Sequence, residues 1–225
     1  MENKIYEIYQ KLYQAYGPQG WWPFLNDSGE PIYHKSDFSF PQTDLQRFEV
    51  CVGSILTQNT TFTSVVTSLQ NLKAKNVLSP ETIQSLPRDD LKEAIRPCGY
   101  FNQKSRYILA FIEFYQALKG CTPSRDELLS VVGIGEETAD SMLLYAYKKE
   151  EFKVDAYTKR ILVHLGMIDE KAKYGDVKKL IEDALEDIDD TQRLIVYQEF
   201  HALIVHHAKS FYSKKPYGQD CFLRP

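Results

Sequence analysis

The stretch that most constrains this chain runs over residues 124–165, SRDELLSVVGIGEETADSMLLYAYKKEEFKVDAYTKRILVHL. It predicts a helix over 124–132, a turn at Gly133-Ile134-Gly135, and a second helix over 136–147. An isolated aspartate, Asp155, then stands at the mouth of a third helix. Leu128, Leu129 and Val132 fall on one stripe at helical spacing. Thr138, Ala139, Met142, Leu143 and Ala146 offer small and apolar contacts in return. Glycine in the turn permits backbone angles closed to other residues and leaves amides bare. A helix that starts at once behind such a turn presents unpaired N–H groups, which suit a phosphate.

Composition narrows the class. The 225 residues fit one large domain or two closely packed lobes, and 43% are hydrophobic, enough for a core. No run reaches the length of a membrane span, and residues 1–20 lack a signal-peptide core. Four scattered cysteines (Cys51, Cys98, Cys121, Cys221) read as reduced thiols of a cytoplasmic protein. The net charge of −4 is segregated, because EDALEDIDD over 182–190 carries six carboxylates. Lys148, Lys149, Lys153, Lys159 and Arg160 form one basic group. Lys209 to Lys215 with His201, His206 and His207 form another. Each is a solvated face or a phosphate patch.

In chain order, helices are expected over 3–16, 45–56, 62–72, 80–86, 87–95, 105–118, 156–165, 176–185 and 194–212. Trp21-Trp22-Pro23 belongs to no helical stripe; it is either a docked surface segment or a stacking wall for a planar ligand. Gln58 lies in a break between two helices, where an amide can cap a junction or answer an orphaned base. Lys104 and Arg106 sit near a helix start, against the dipole, and a phosphate or plain solvent would compensate. His201, His206 and His207 read as core residues rather than metal ligands.

The phrases Val131-Val132-Gly133-Ile134-Gly135-Glu136-Glu137-Thr138-Ala139 and Val154-Asp155-Ala156-Tyr157-Thr158-Lys159-Arg160 resemble the helix-hairpin-helix and aspartate motif of the endonuclease III superfamily of DNA glycosylases. The separation of 18 between Glu137 and Asp155 is that of the family. The resemblance implies that Asp155 is catalytic and that Val132, Gly133, Ile134, Gly135 and Thr138 form the phosphate-binding hairpin, with a monovalent cation at its carbonyls. Glu137 occupies the place of the Schiff-base lysine, and a carboxylate forms no imine, so β-lyase chemistry through it is excluded. Gln58, in ILTQNT, matches the glutamine that fills the gap in the duplex. Trp21-Trp22-Pro23, LTQNT and Phe62 together are similar to the small 3-methyladenine branch. There Trp21 and Phe62 would sandwich the base, and Trp22 and Pro23 would line the wall; a cationic ring favours such stacking. Larger members hold a [4Fe-4S] cluster with four C-terminal cysteines. Here only Cys221 remains, so no cluster or other cofactor is expected, and no metal apart from the monovalent cation that the resemblance allows at the hairpin.

These readings imply an all-α, two-lobed helix-hairpin-helix glycosylase fold, with residues 1–45 and 150–225 in one lobe and 46–149 in the other, and DNA in the cleft between. The expected activity is monofunctional hydrolysis of the N-glycosidic bond of 3-methyladenine in duplex DNA after base flipping, by a monomer beside the nucleoid. Another lesion (mismatched thymine or uracil, or a deaminated or oxidised purine) stays open. So does a non-catalytic DNA-binding module in which Asp155 only caps a helix, and so does a protein-interaction scaffold suited to the acidic charge. The loop over 27–43 has no assigned role.

Overall fold

The computed structural model describes residues 3–223; residues 1–2 and 224–225, which the lobe boundaries above include, lie outside the described residues. The fold is predominantly α-helical. The helices are α1 (Lys4–Tyr16), α2 (Asp44–Leu56), α3 (Phe62–Ala74), α4 (Pro80–Ser85), α5 (Arg88–Ile95) and α6 (Phe101–Ala117). Then come α7 (Arg125–Leu129), α8 (Glu136–Tyr145), α9 (Ala156–His164), α10 (Tyr174–Ala184) and α11 (Asp190–Phe211). Strands β1 (Phe24–Leu25) and β2 (Pro31–Ile32) pair antiparallel, a small hairpin that the sequence pattern did not announce.

Several helix starts are written in the sequence as reciprocal caps. Thr43 with Gln46, Ser79 with Thr82, Ser124 with Glu127 and Asp155 with Thr158 each exchange side-chain and backbone bonds. Caps of this kind stabilise a helix by about 1 kcal/mol each.

The chain divides into two compact units, Met1–Trp21 with His34–Phe38 and Lys148–Pro225, and Trp22–Tyr33 with Ser39–Tyr147. In the first unit α11 is the central element: Val196 to Ile204 are buried on every side, α1 and α9 pack on it, and Phe152 lies against Tyr197 and Phe200. In the second unit α2 has that place, buried from Phe48 to Leu56 and packed by α3, α6 and α8.

Residues 22–33 and 39–45, assigned above to the first lobe, cluster with the second unit. The reason is polar. Leu25 N–H donates to Glu49 of α2 (2.9 Å), and Lys73 of α3 donates to the Leu25 carbonyl (3.0 Å). Gln70 donates to the Gly29 carbonyl (2.8 Å), which fixes the tip of the hairpin.

A second departure concerns Lys104. The helix expected from residue 105 starts at Phe101, and Lys104 is buried inside it. Its Nζ donates to the carbonyls of Leu56 (2.9 Å) and Cys98 (2.8 Å), at the C-terminal end of α2 and in the 3-10 turn Arg96–Cys98. A lysine that caps carbonyls has its dipole compensation inside the protein, so the phosphate reading for it falls. The basic groups shrink similarly: Lys153, His201 and His207 are buried, and Lys159 and Arg160 donate to the Ala172 and Tyr212 carbonyls.

Candidate active site

Asp155 has extended backbone and caps α9 with one oxygen only. Oδ1 accepts from Thr158 N–H (2.8 Å) and from Thr158 Oγ1 (2.9 Å). Oδ2 is left for other work and lies 3.5 Å from His201 Nε2 on α11. The carboxylate is 12% exposed and His201 1%. Burial alone would push the carboxyl up. The His201 contact, the Lys153 charge and the Thr158 N–H together outweigh it and hold the group well below the usual carboxylate range. Asp155 is therefore an ionised carboxylate throughout the neutral range. The Trp21 ring stands edge-on to His201, centroids 6.2 Å apart.

The hairpin in the second unit is built on Gly133. Its φ of +87° suits glycine, and an added Cβ would sit 2.1 Å from Tyr107 Cγ, so the chain passes directly over that ring. Gln58 closes the turn from α2's far end: its Nε2 donates to the Gly133 carbonyl (2.9 Å) and to Thr138 Oγ1 (3.1 Å). No side chain caps α8 after Gly135. Arg125 grips the buried Asp140 with two bonds (2.7 and 3.2 Å), tying α7 to α8. Ile134 is buried as a core contact, whereas Val132 is 60% exposed because α7 ends at Leu129; Val132 therefore leaves the stripe expected for it. Glu137 is exposed on the first turn of α8.

The aromatic segment is split. Trp22 is buried, T-shaped against Phe62 (5.5 Å) and tilted on Tyr145 (5.8 Å). A Cβ on Gly53 would come within 2.8 Å of Trp22 Cζ2, so α2 admits the indole only through that glycine. Trp22 and Pro23 are thus core residues of the second unit, while Trp21 and Phe62 stay half-buried. Two buried glutamates hold the backbone on either side. Glu199 of α11 accepts from Gln19 N–H (2.7 Å) and Gly20 N–H (3.1 Å), and Glu49 of α2 accepts from Leu25 N–H. Burial pushes the Glu49 carboxyl up to about 7, against the pull of that N–H and of Lys73. Burial raises Glu199 likewise.

Residues 52–187 match the pattern of the HhH-GPD superfamily of base excision DNA repair proteins. The chain belongs to that superfamily. A candidate DNA repair glycosylase of Methanocaldococcus jannaschii is 41% identical over 98% of this chain and 95% of its own length. The Helicobacter pylori 3-methyladenine DNA glycosylase MagIII, solved with 1,N6-ethenoadenine, is 26% identical with a TM-score of 0.72, covering 92% of this chain and 97% of the other. A non-covalent endonuclease III–DNA complex shares the fold, with a TM-score of 0.73 at 18% identity over 99% and 93% of the two chains. The protein is a monofunctional DNA glycosylase of the superfamily.

Superfamily members with an iron–sulfur cluster bind it through four thiolates, and the residues here do not fit one. The Cys221 sulfur is engaged within the protein: His207 Nε2 lies 3.1 Å from Sγ, and Tyr212 Oη donates to it at 3.4 Å. Phe222 packs edge-on to His207, whose Nδ1 meets Tyr16 Oη at 2.8 Å. Cys51, Cys98 and Cys121 belong to the other unit. Among the described residues no group of three His, Cys, Asp or Glu is placed to hold a metal ion, and no helix is long and apolar enough to cross a membrane.

Sequence reasoning missed His201 and Lys153 as neighbours of Asp155, and Glu49 and Glu199 as anchors of the aromatic segment. The lysine had a signal, since it stands two residues before the aspartate. The histidine and the glutamates had none beyond lying on helices of apolar character.

Proposed function

We propose that this protein hydrolyses the N-glycosidic bond of 3-methyladenine in duplex DNA, with Asp155 as the catalytic carboxylate. The observation that carries the reading is the division of labour at Asp155, in which one oxygen caps α9 and the other is buried, ionised and free of the cap. Cleavage builds oxocarbenium charge on the sugar; a fixed carboxylate stabilises it and orients water. An N3-alkylated adenine already carries positive charge and leaves as a neutral base without a general acid. Trp21 and Phe62 each offer a half-buried ring on which an extruded cationic purine can stack. The hairpin amides after Gly133 would hold a phosphate. Likeness to the Helicobacter pylori enzyme supports the choice of lesion. The protein would act as a monomer on duplex DNA in the cytoplasm.

Gln58 serves the hairpin in this structure, and filling the duplex gap would require it to release Gly133 and Thr138. A second lesion reading, a neutral base such as hypoxanthine or mismatched uracil or thymine, has Lys153 in its favour. An ammonium acting on the Asp155 site would help a base that leaves as an anion.

The test is base release from duplexes carrying one 3-methyladenine, hypoxanthine, uracil or mismatched thymine, with wild type and Phe62→Ala. The expected result is preference for 3-methyladenine, an alanine variant that loses turnover far more than thermal stability, and no borohydride-trapped adduct. Preference for a neutral lesion selects the second reading, and equal loss of turnover and stability removes Phe62 from the site.

A further inference from the structure

We infer that His201 is a positioning residue for the hydrolytic step: its buried Nε2 stands 3.5 Å from Asp155 Oδ2, near enough to donate to the carboxylate oxygen that the helix cap leaves over. The inference rests on Asp155 being the catalytic carboxylate. Without a donor on that side, Oδ2 would be fixed only through the Cα–Cβ torsion and the bonds to Oδ1, and the free oxygen would swing about them. A displacement of about 1 Å at a reacting group costs on the order of 10²-fold in rate.

The surroundings of His201 set its charge. Burial and then the Lys153 charge hold the imidazole below its ordinary range, against the opposing pull of Asp155. Glu199, on the same helix, spends both oxygens on Gln19 and Gly20 N–H groups. From α1, Tyr9 leans on the neighbouring Phe200, and burial keeps its phenol protonated. Trp21 covers the ring with a neutral edge. The imidazole is therefore neutral near pH 7, and in the tautomer with its hydrogen on Nε2 it presents an N–H to Oδ2. When it gains a proton, an imidazolium faces Oδ2 and cancels the field that stabilises an oxocarbenium ion. Activity should then fall on the acid side as His201 protonates, with Lys153 keeping that fall at low pH.

The experiment measures single-turnover base release against pH for wild type, His201→Leu, His201→Gln, Lys153→Met and Asp155→Asn. The substrate is a duplex with one 3-methyladenine, or with one hypoxanthine if the wild type prefers it. His201→Leu is expected to release base about 10²-fold more slowly with duplex affinity unchanged within about twofold. His201→Gln, which keeps an N–H donor, should recover most of the rate and lose the acid limb. Lys153→Met should move the acid limb to higher pH, because removing a nearby cation eases protonation of both His201 and Asp155. If His201→Leu fails to fold, the His201→Gln profile decides: an acid limb retained there at its wild-type position overturns the inference. A wild-type rate in His201→Leu, a glutamine variant as slow as leucine, or an unmoved limb in Lys153→Met overturns the inference. Asp155→Asn separates the two levels: full activity there removes the reading of Asp155 itself, whereas its loss beside an active His201→Leu removes only the histidine.

Discussion

The hairpin around Gly133 and the carboxylate site around Asp155 solve opposite problems. The hairpin offers backbone amides and leaves them uncapped; its support is a glycine over Tyr107, the neutral amide of Gln58 and the Arg125–Asp140 pair set behind α7 and α8. The Asp155 site buries charge, and its support is more charge and polarity: His201, Lys153 and the Thr158 cap. A group that would only have to meet a phosphate can be made of backbone amides, held here by the Tyr107 ring and the Gln58 amide. A group that would meet a developing cation must be ionised while nearly dry, which takes charged and polar partners: here Lys153 and Thr158 beside it in the chain and His201 from α11. Damage to the first should therefore weaken binding and folding, and damage to the second should slow chemistry.

The largest stability effect that would sharpen this contrast comes from Asp140→Ala. It takes from Arg125 its buried partner and leaves it Glu136 (3.4 Å) and water, so a loss of about 3 kcal/mol, the low end for a broken buried pair, is expected in chemical denaturation. Gly133→Ala follows, at about 2 kcal/mol or more, because the left-handed backbone and the Tyr107 ring both reject a Cβ. Its duplex affinity should drop by about tenfold or more while base release at saturating enzyme survives. A slowed release step in Gly133→Ala with normal affinity would break the contrast.

Glu49→Gln reads the charge side without touching the site. The Glu49 carboxyl is raised to about 7, so its contribution is present below the ordinary carboxylate range and lost as pH rises through 7. Gln still accepts from Leu25 N–H. Thermal melts at pH 5 and pH 8 should therefore show a steeper loss of stability in wild type than in the variant, a difference of about 1–3 kcal/mol. Parallel slopes would show that Glu49 is not the group that titrates. Gln58→Ala should have the smallest effect, about 1 kcal/mol from two lost bonds to the hairpin. It should reduce duplex affinity modestly.

The same contrast explains what could be read in advance. The start of α9 was legible because Asp155 stands three residues before its partner Thr158; Thr43, Ser79 and Ser124 carry the same local signal for α2, α4 and α7. The hairpin was legible because Gly133 and the residues it serves are neighbours in sequence. The His201 contact was not, since 46 positions separate it from Asp155 and only the packing of α9 on α11 joins them. The burial of Trp22 was not legible because what admits the indole is an absence, the missing side chain of Gly53. Lys104 was misread as a surface cation because the carbonyls that hold it, on Leu56 and Cys98, carry no mark in the residue code.

The central claim is that Asp155 supplies a buried, ionised oxygen for glycosidic bond hydrolysis in addition to capping α9. The direct measurement is single-turnover base release by wild type and Asp155→Asn, which keeps an oxygen for the cap, with duplex affinity and melting temperature taken on the same samples. The account predicts a rate loss of about 10²-fold or more with affinity and melting temperature nearly unchanged. Undiminished release by Asp155→Asn would contradict it and leave Asp155 as a helix cap alone.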